Sequence, residues 1–151
     1  MLPWIIFAAI IWIFILLFLR SEVKRLWSVA FWALIVGYLV NIVFVSNEFY
    51  LFKDAYFSVE GIPISYLIGL AGIGVIMMRF LPEEKIWQLP YLFFFSALLT
   101  GIDYSALKLG YLLYQNWPLY YSFLFKLLSF IALTWLSGLT VTKRSRSYYF
   151  R

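Results

Sequence analysis

Long apolar runs separated by short charged stretches dominate this chain. A helix needs about 20 mostly apolar residues to cross about 30 Å of hydrocarbon. Five runs approach that length and predict transmembrane helices at about residues 2–19, 27–46, 62–80, 89–113 and 117–141. The pattern therefore predicts an all-α integral membrane protein with five spans in a single transmembrane domain.

The composition agrees with this class of protein. Hydrophobic residues make up 65% of the chain and charged residues 13%, whereas soluble domains average about 25% charged residues. The chain has no cysteine and no histidine, which excludes disulfides, thiolate metal sites and histidine acid–base chemistry. We predict no cofactor, no metal site and no catalytic residue. The net charge is +5, and the lysines and arginines that produce it lie beside the apolar runs. This arrangement argues against a nucleic-acid partner.

The lysines and arginines predict the orientation of the chain. Nine of them fall on one side of a five-span arrangement: Arg20, Lys24, Arg25, Arg79, Lys85, Lys143, Arg144, Arg146 and Arg151. The positive-inside rule makes that side cytoplasmic, so we expect the N-terminus outside and the C-terminus in the cytoplasm. The basic tail 142–151 is expected to contact anionic lipid headgroups. A re-entrant pair formed by the second and third segments is the alternative, and it would disrupt this charge asymmetry.

Two outer connections are predicted between the spans. The aromatic stretch 47–61 is expected to lie at the outer interface as a short helix or strand, either against lipid or as a ligand lid. Residues 114–117 are expected to form a tight hairpin between the last two helices, because Pro118 suits a helix start. Tryptophans at the predicted span ends are expected to form interfacial belts, and they are Trp4, Trp27, Trp87 and Trp117.

Two opposite charges interrupt the last two apolar runs. Asp103 and Lys126 both fall roughly 12 to 13 Å below the predicted outer interface at 1.5 Å per residue, and Asn41 lies slightly shallower. A charge at the centre of a membrane helix costs about 2.5 to 3.5 kcal/mol, so we predict that Asp103 pairs with Lys126. Lys108 is the competing partner, but it lies about 140° around the helix from Asp103 and is expected to snorkel to the interface.

Helical spacing adds hydroxyl groups to this layer. Thr100 lies on the stripe of Asp103, and Ser122 lies on the stripe of Lys126. The candidate polar site therefore contains Asn41, Thr100, Asp103, Ser122 and Lys126. Such a layer is either an ion pair that fixes the order of the helices or a site for a proton, an ion or a polar headgroup.

Small residues at helical spacing predict where helices pack closely. The third segment carries Gly61, Ser65, Gly69 and Gly72 on one stripe, and the second carries Gly37 beside Asn41. We therefore expect helix packing at Gly37, Ser65, Gly69 and Gly72, with segments two to five as the packed core. Segment one, which lacks polar residues, is expected to be peripheral and to face lipid or a partner protein.

The second half of the chain resembles a known group of sequences. The stretches "GIPISYLIGLAGIGVIMMRFLP" (61–82) and "YSALKLGYLLYQNWPLYYSFL" (104–124) resemble an uncharacterised family of small multi-pass membrane proteins from spore-forming Gram-positive bacteria. The resemblance implies a bacterial plasma or spore membrane as the location. It implies no particular activity.

Three functional hypotheses follow from these patterns. The first, which the sequence favours, is an accessory or scaffold subunit that uses segment one and the basic tail to engage a larger membrane complex; a homo-oligomer is the other partner that the sequence allows. The second is a small carrier or a lipid- or apolar-ligand-binding protein that uses Asn41, Asp103 and Lys126. The third is an intramembrane enzyme with Asp103 as its acid–base group, and the lack of a nucleophile–base pair or metal cluster weighs against it.

Overall fold

The computed structural model describes residues 2–53, 57–115 and 117–140, which form five helices and two short two-stranded sheets. The helices are α1 (Leu2–Phe18), α2 (Arg20–Ser46), α3 (Ile64–Arg79), α4 (Lys85–Lys108) and α5 (Leu119–Thr140). The strands are β1 (Tyr50–Phe52), β2 (Ser58–Val59), β3 (Ile62–Pro63) and β4 (Leu112–Tyr114). The basic tail 142–151 lies outside the described residues.

Three of these helices are long and apolar enough to cross a membrane. They correspond to Val23–Ser46, Lys85–Lys108 and Leu119–Leu139. Helices α1 and α3 are apolar but shorter, with 17 and 16 residues, or about 25 Å of helix each. The protein is therefore a helical membrane protein. Helix α3 is the most enclosed of the five, because α1 and α2 cover it on two sides.

The helices pack side by side in the order α1, α3, α2, α5, α4. Helices α2 and α3 are antiparallel, since Ala33 lies beside Gly74 and Gly37 beside Leu70. Helix α1 runs parallel to α3, while α5 runs antiparallel to both α2 and α4. The helix ends at one end of the bundle therefore carry the basic residues of the predicted cytoplasmic side: Arg20, Lys24, Arg25, Arg79 and Lys85. The opposite end carries the strands.

The glycines of α3 allow α1 to approach closely. A Cβ atom at Gly69 would overlap the ring of Phe7, and one at Gly72 would lie 2.5 Å from Cγ2 of Ile11. The partner of this stripe is thus α1, which sequence analysis had expected outside the packed core. The remaining faces of α1 are exposed, so the helix is peripheral but firmly packed along one side.

The other small residues of the predicted stripes, Gly37, Ser65 and Gly61, lie in three different environments. Gly37 of α2 packs against Leu70, with 3.0 Å from a built Cβ to the leucine Cδ1. Ser65 is half-buried in the first turn of α3. Gly61 precedes the helix and has φ +79, a left-handed conformation that glycine adopts without steric cost. The predicted stripe is therefore a packing surface at Gly69 and Gly72, and Gly61 serves a turn instead.

Helix α4 ends five residues earlier than predicted, because Gly110 stops it. Gly110 has φ +73 and its N–H donates to the Leu107 carbonyl at 3.0 Å, while the N–H of Tyr111 donates to the Ala106 carbonyl at 2.9 Å. This pair of bonds is the Schellman motif, which satisfies the last carbonyls of a helix and favours glycine at that position. The chain is then free to form β4 instead of continuing to residue 113.

Strands β1 and β4 pair to form a ribbon over one end of the bundle. Tyr50 lies opposite Tyr114, and Phe52 lies opposite Leu112. Two further backbone bonds extend the pairing, from Lys53 N to Tyr111 O at 3.1 Å and from Gln115 N to Phe49 O at 2.9 Å. The predicted tight hairpin at 114–117 is therefore wrong. The chain between α4 and α5 instead supplies one strand of this ribbon.

Candidate functional site

The ribbon of β1 and β4 places one tyrosine against α2. Tyr50 is 7% exposed, and its hydroxyl donates a hydrogen bond to Oδ1 of Asn41. Asn41 in turn donates from Nδ2 to the carbonyl of Gly37 at 2.7 Å. The amide is thus fixed between the ribbon and its own helix, so its orientation is set from both sides.

The second ribbon tyrosine joins α4 to α5. The hydroxyl of Tyr114 lies 3.3 Å from Oδ2 of Asp103 and 2.7 Å from Oγ of Ser122. Ser122 is buried and also accepts a hydrogen bond from Nε1 of Trp117 at 2.9 Å. Trp117 stacks on Phe49 with 4.6 Å between ring centroids. This tryptophan therefore packs beside the ribbon.

Asp103 and Lys126 form the predicted ion pair through Oδ2 and Nζ. The side chains of Asp103 and Lys126 are 14% and 18% exposed, so neither is fully buried by the protein. Lys108 is exposed at the end of α4, with Nζ 5.1 Å from the centroid of the Tyr104 ring. The prediction that Asp103 pairs with Lys126 rather than Lys108 is confirmed.

The polar layer lies closer to the helix ends than predicted. Asp103 is five residues before the end of α4, and Lys126 is seven residues after the start of α5. At 1.5 Å per residue these positions are about 8 and 10 Å along their helices. The depth predicted from the sequence is larger because the predicted fourth segment extends beyond Gly110, where α4 has ended, and the predicted fifth segment begins before Pro118.

A cavity of about 70 Å³ lies beneath the ribbon between α2, α3, α4 and α5. Its polar end is formed by Asn41, Tyr50, Tyr66, Asp103, Ser122 and Lys126. Its apolar walls include Val36, Leu70, Ile73 and Leu133. An apolar cavity of about 150 Å³ holds benzene, so this one has room for a molecule of about three non-hydrogen atoms by the same scale.

Three groups at the polar end keep unused hydrogen-bonding capacity. Tyr66 is 8% exposed and lines the cavity, yet its hydroxyl has no hydrogen-bond partner among the residues that the structure describes. Asp103 accepts hydrogen bonds at Oδ2 from Lys126 and Tyr114. Its other oxygen, Oδ1, accepts none from the residues that the structure describes. Lys126 spends one of its three ammonium donors on Asp103. Helices α3, α4 and α5 thus each bring one open polar group to the cavity.

Of the five residues predicted for the site, the structure brings four together. Asn41, Asp103, Ser122 and Lys126 line the cavity. Thr100 does not line it, and its hydroxyl donates to the Ser96 carbonyl at 2.8 Å within α4. Sequence reasoning did not find Tyr50 and Tyr114. The available signal was their position in short aromatic stretches just after α2 and α4, with Gly110 marking the break before β4.

Burial raises the pKa of both ribbon tyrosines further above neutral pH. It raises the pKa of Tyr50 well above its ordinary value of 10.0. It also raises the pKa of Tyr114, and the carboxylate of Asp103 adds to that rise while Ser122 opposes it. Both phenols therefore remain neutral hydroxyl groups, able to donate to Asn41 and Asp103.

Comparisons of the chain with protein families, with curated proteins and with solved structures found no match.

Replacing Tyr114 with phenylalanine tests the link between the ribbon and the polar layer. We expect Tyr114→Phe to lower the free energy of unfolding by about 1 to 3 kcal/mol, because a hydrogen bond to a charged group and one to a buried hydroxyl are both lost. Denaturant titration of the purified protein in detergent measures this change. Tyr111→Phe is the matched control, because Tyr111 is exposed; a loss as large in the control would contradict the assignment.

Proposed function

We propose that the protein is a small five-span membrane carrier or binding protein, with its N-terminus outside, that holds a small solute in the cavity beneath the outer ribbon. The observation that carries this proposal is the cavity itself, with Tyr66, Asp103 and Lys126 offering open hydrogen-bonding groups to it. Buried ion pairs are often no more stabilising than apolar side chains of similar size. A pair that also faces a cavity is therefore better explained by ligand contact than by stability alone.

The size of the cavity limits the class of ligand. A volume of about 70 Å³ suits a molecule of about three non-hydrogen atoms, and it is too small for an acyl chain or a flat aromatic ligand. We therefore favour a small solute over the lipid or large apolar ligand that the sequence also allowed.

The accessory-subunit hypothesis has less support. The surface of α1 that faces away from α3 is apolar, with Ile6, Ile10 and Leu17 exposed, and such a face suits acyl chains as well as a protein. A stoichiometric partner recovered in gentle detergent would favour this hypothesis. The resemblance of the second half of the chain favours a bacterial plasma or spore membrane for either function.

Cysteine reactivity tests whether the cavity is open to solute. Because the chain has no cysteine, Ser129→Cys introduces a single thiol at the cavity wall, and Leu128→Cys places one on the neighbouring exposed face. Hydrogen peroxide, with two non-hydrogen atoms, is small enough for the cavity. The thiolate, which forms in a hydrated site and not in hydrocarbon, attacks one peroxide oxygen and releases hydroxide, so that the cysteine becomes a sulfenic acid. We expect Ser129→Cys to react at least about tenfold faster than Leu128→Cys in proteoliposomes.

A cavity-filling variant supplies the control. Val36 lines the cavity, so Val36→Phe should abolish the fast reaction at Ser129→Cys, while Leu39→Phe on the exposed face of the same helix should not. Equal and slow reaction at both cysteines would contradict the proposed function. So would a fast reaction at Ser129→Cys that Val36→Phe leaves unchanged.

A further inference from the structure

The charges that line the cavity balance one another. Asp103 and Lys126 are the charged side chains among its lining residues, and they are paired. The other polar groups are the hydroxyls of tyrosine and serine and the amide of Asn41. A charged ligand entering this site would leave water without meeting an uncompensated opposite charge, which is unfavourable in an apolar environment.

The open groups call for a ligand that both donates and accepts hydrogen bonds. Lys126 offers only donors, and the free oxygen of Asp103 offers only acceptor capacity. The hydroxyl of Tyr66 offers either. A molecule with a donor and an acceptor close together can satisfy groups on α3, α4 and α5 at once, whereas a purely apolar molecule would leave them unpaired at a cost.

We propose that the solute is an electrically neutral molecule of about three non-hydrogen atoms, with a donor and an acceptor that bridge Asp103, Lys126 and Tyr66. Primary amides and short alcohols belong to this class. The inference rests on the proposed function, since it names the chemistry of the ligand for the same cavity.

Three nearly isosteric probes separate charge from size. Formamide is neutral, formate is an anion and formamidinium is a cation, and each has a donor or acceptor geometry suited to the cavity. A ligand that binds only the folded protein raises its melting temperature. At ten times its dissociation constant, formamide should raise the melting temperature of the detergent-solubilised protein by about 3 to 6 °C. Formate and formamidinium should give less than about 1 °C at the same concentration.

Charge variants sharpen this test. Asp103→Asn leaves the charge of Lys126 uncompensated and should make formate the strongest stabiliser of the three. Lys126→Gln leaves the charge of Asp103 and should favour formamidinium. Opposite shifts in the two variants report the electrostatics of the site, since a purely structural defect would weaken all three probes alike. If either variant does not fold, the ranking in the wild-type protein decides.

The outcomes distinguish the two proposals. If formate or formamidinium stabilises the wild-type protein as much as formamide, the neutral class is overturned while the site remains. If no probe raises the melting temperature of the wild-type protein more than that of Val36→Phe, and Ser129→Cys also reacts slowly, both this inference and the proposed solute site are overturned. If reactivity at Ser129→Cys is fast but no probe binds, the cavity holds water and the inference alone fails.

Discussion

Replacing Asp103 with leucine is expected to lower the free energy of unfolding by about 3 to 5 kcal/mol, because it leaves the ammonium of Lys126 unpaired inside the bundle. Lys126 is 18% exposed, so its hydration at the cavity offsets only part of that cost. Unfolding of the purified protein in mixed micelles, followed by circular dichroism, measures the change. A loss below about 1 kcal/mol would mean that the pair contributes no more than an exposed one.

The double variant separates pairing from packing. Asp103→Leu combined with Lys126→Met removes both charges, so it should be less destabilising than Asp103→Leu alone, with a coupling energy of about 2 kcal/mol or more. Lys108→Met is the control, because Lys108 is exposed at the end of α4, and it should change stability by less than about 0.5 kcal/mol. Additive effects of the two site variants would contradict a direct interaction.

Cysteines placed on either side of α3 are expected to react from opposite sides of the membrane. Lys53 and Glu83 are exposed and lie in the connections before and after this helix. A membrane-impermeant maleimide should label Lys53→Cys completely in intact cells and leave Glu83→Cys unlabelled, because the connections rich in lysine and arginine stay in the cytoplasm. The readout is the mass shift of the purified protein.

Permeabilised cells provide the control, since both cysteines should then react. If Glu83→Cys reacts in intact cells as fast as Lys53→Cys, α3 does not cross the membrane and the five-span topology is wrong. If the two patterns are exchanged, the helix crosses but the orientation is inverted.

The helices could be predicted from the sequence because each is a long apolar run. The pairing of Asp103 with Lys126 could also be predicted, since two buried opposite charges at a similar depth have few other ways to avoid an unpaired cost. The ends of the helices were harder. Helix α2 begins at Arg20, although its first turns are charged, because helical hydrogen bonding does not require apolar side chains at the interface.

The ribbon of β1 and β4 could not be predicted because its two strands lie far apart along the chain. Strand β1 and strand β4 have three residues each and are separated in sequence by two helices. Short aromatic stretches carry little periodic signal, and pairing distant segments requires knowledge of the tertiary arrangement. The ribbon in turn decides the site, because Tyr50 and Tyr114 reach Asn41 and Asp103 from it.

The packing partner of the glycine stripe was also beyond the sequence. Gly69 and Gly72 marked a surface for close contact, but nothing in their spacing specifies which helix approaches. The structure places Phe7 and Ile11 of α1 there. A stripe of small residues predicts that a helix packs closely, and the identity of its neighbour depends on the connections between helices.

A high-resolution crystal structure grown from a lipidic mesophase tests the ligand cavity most directly. Our account predicts electron density larger than a single water molecule between Tyr66, Asp103 and Lys126 in the wild-type protein, and none in Val36→Phe. A cavity that is dry, with Asp103 and Lys126 bonded only to protein groups, would contradict the proposal and leave the ion pair with a purely structural role.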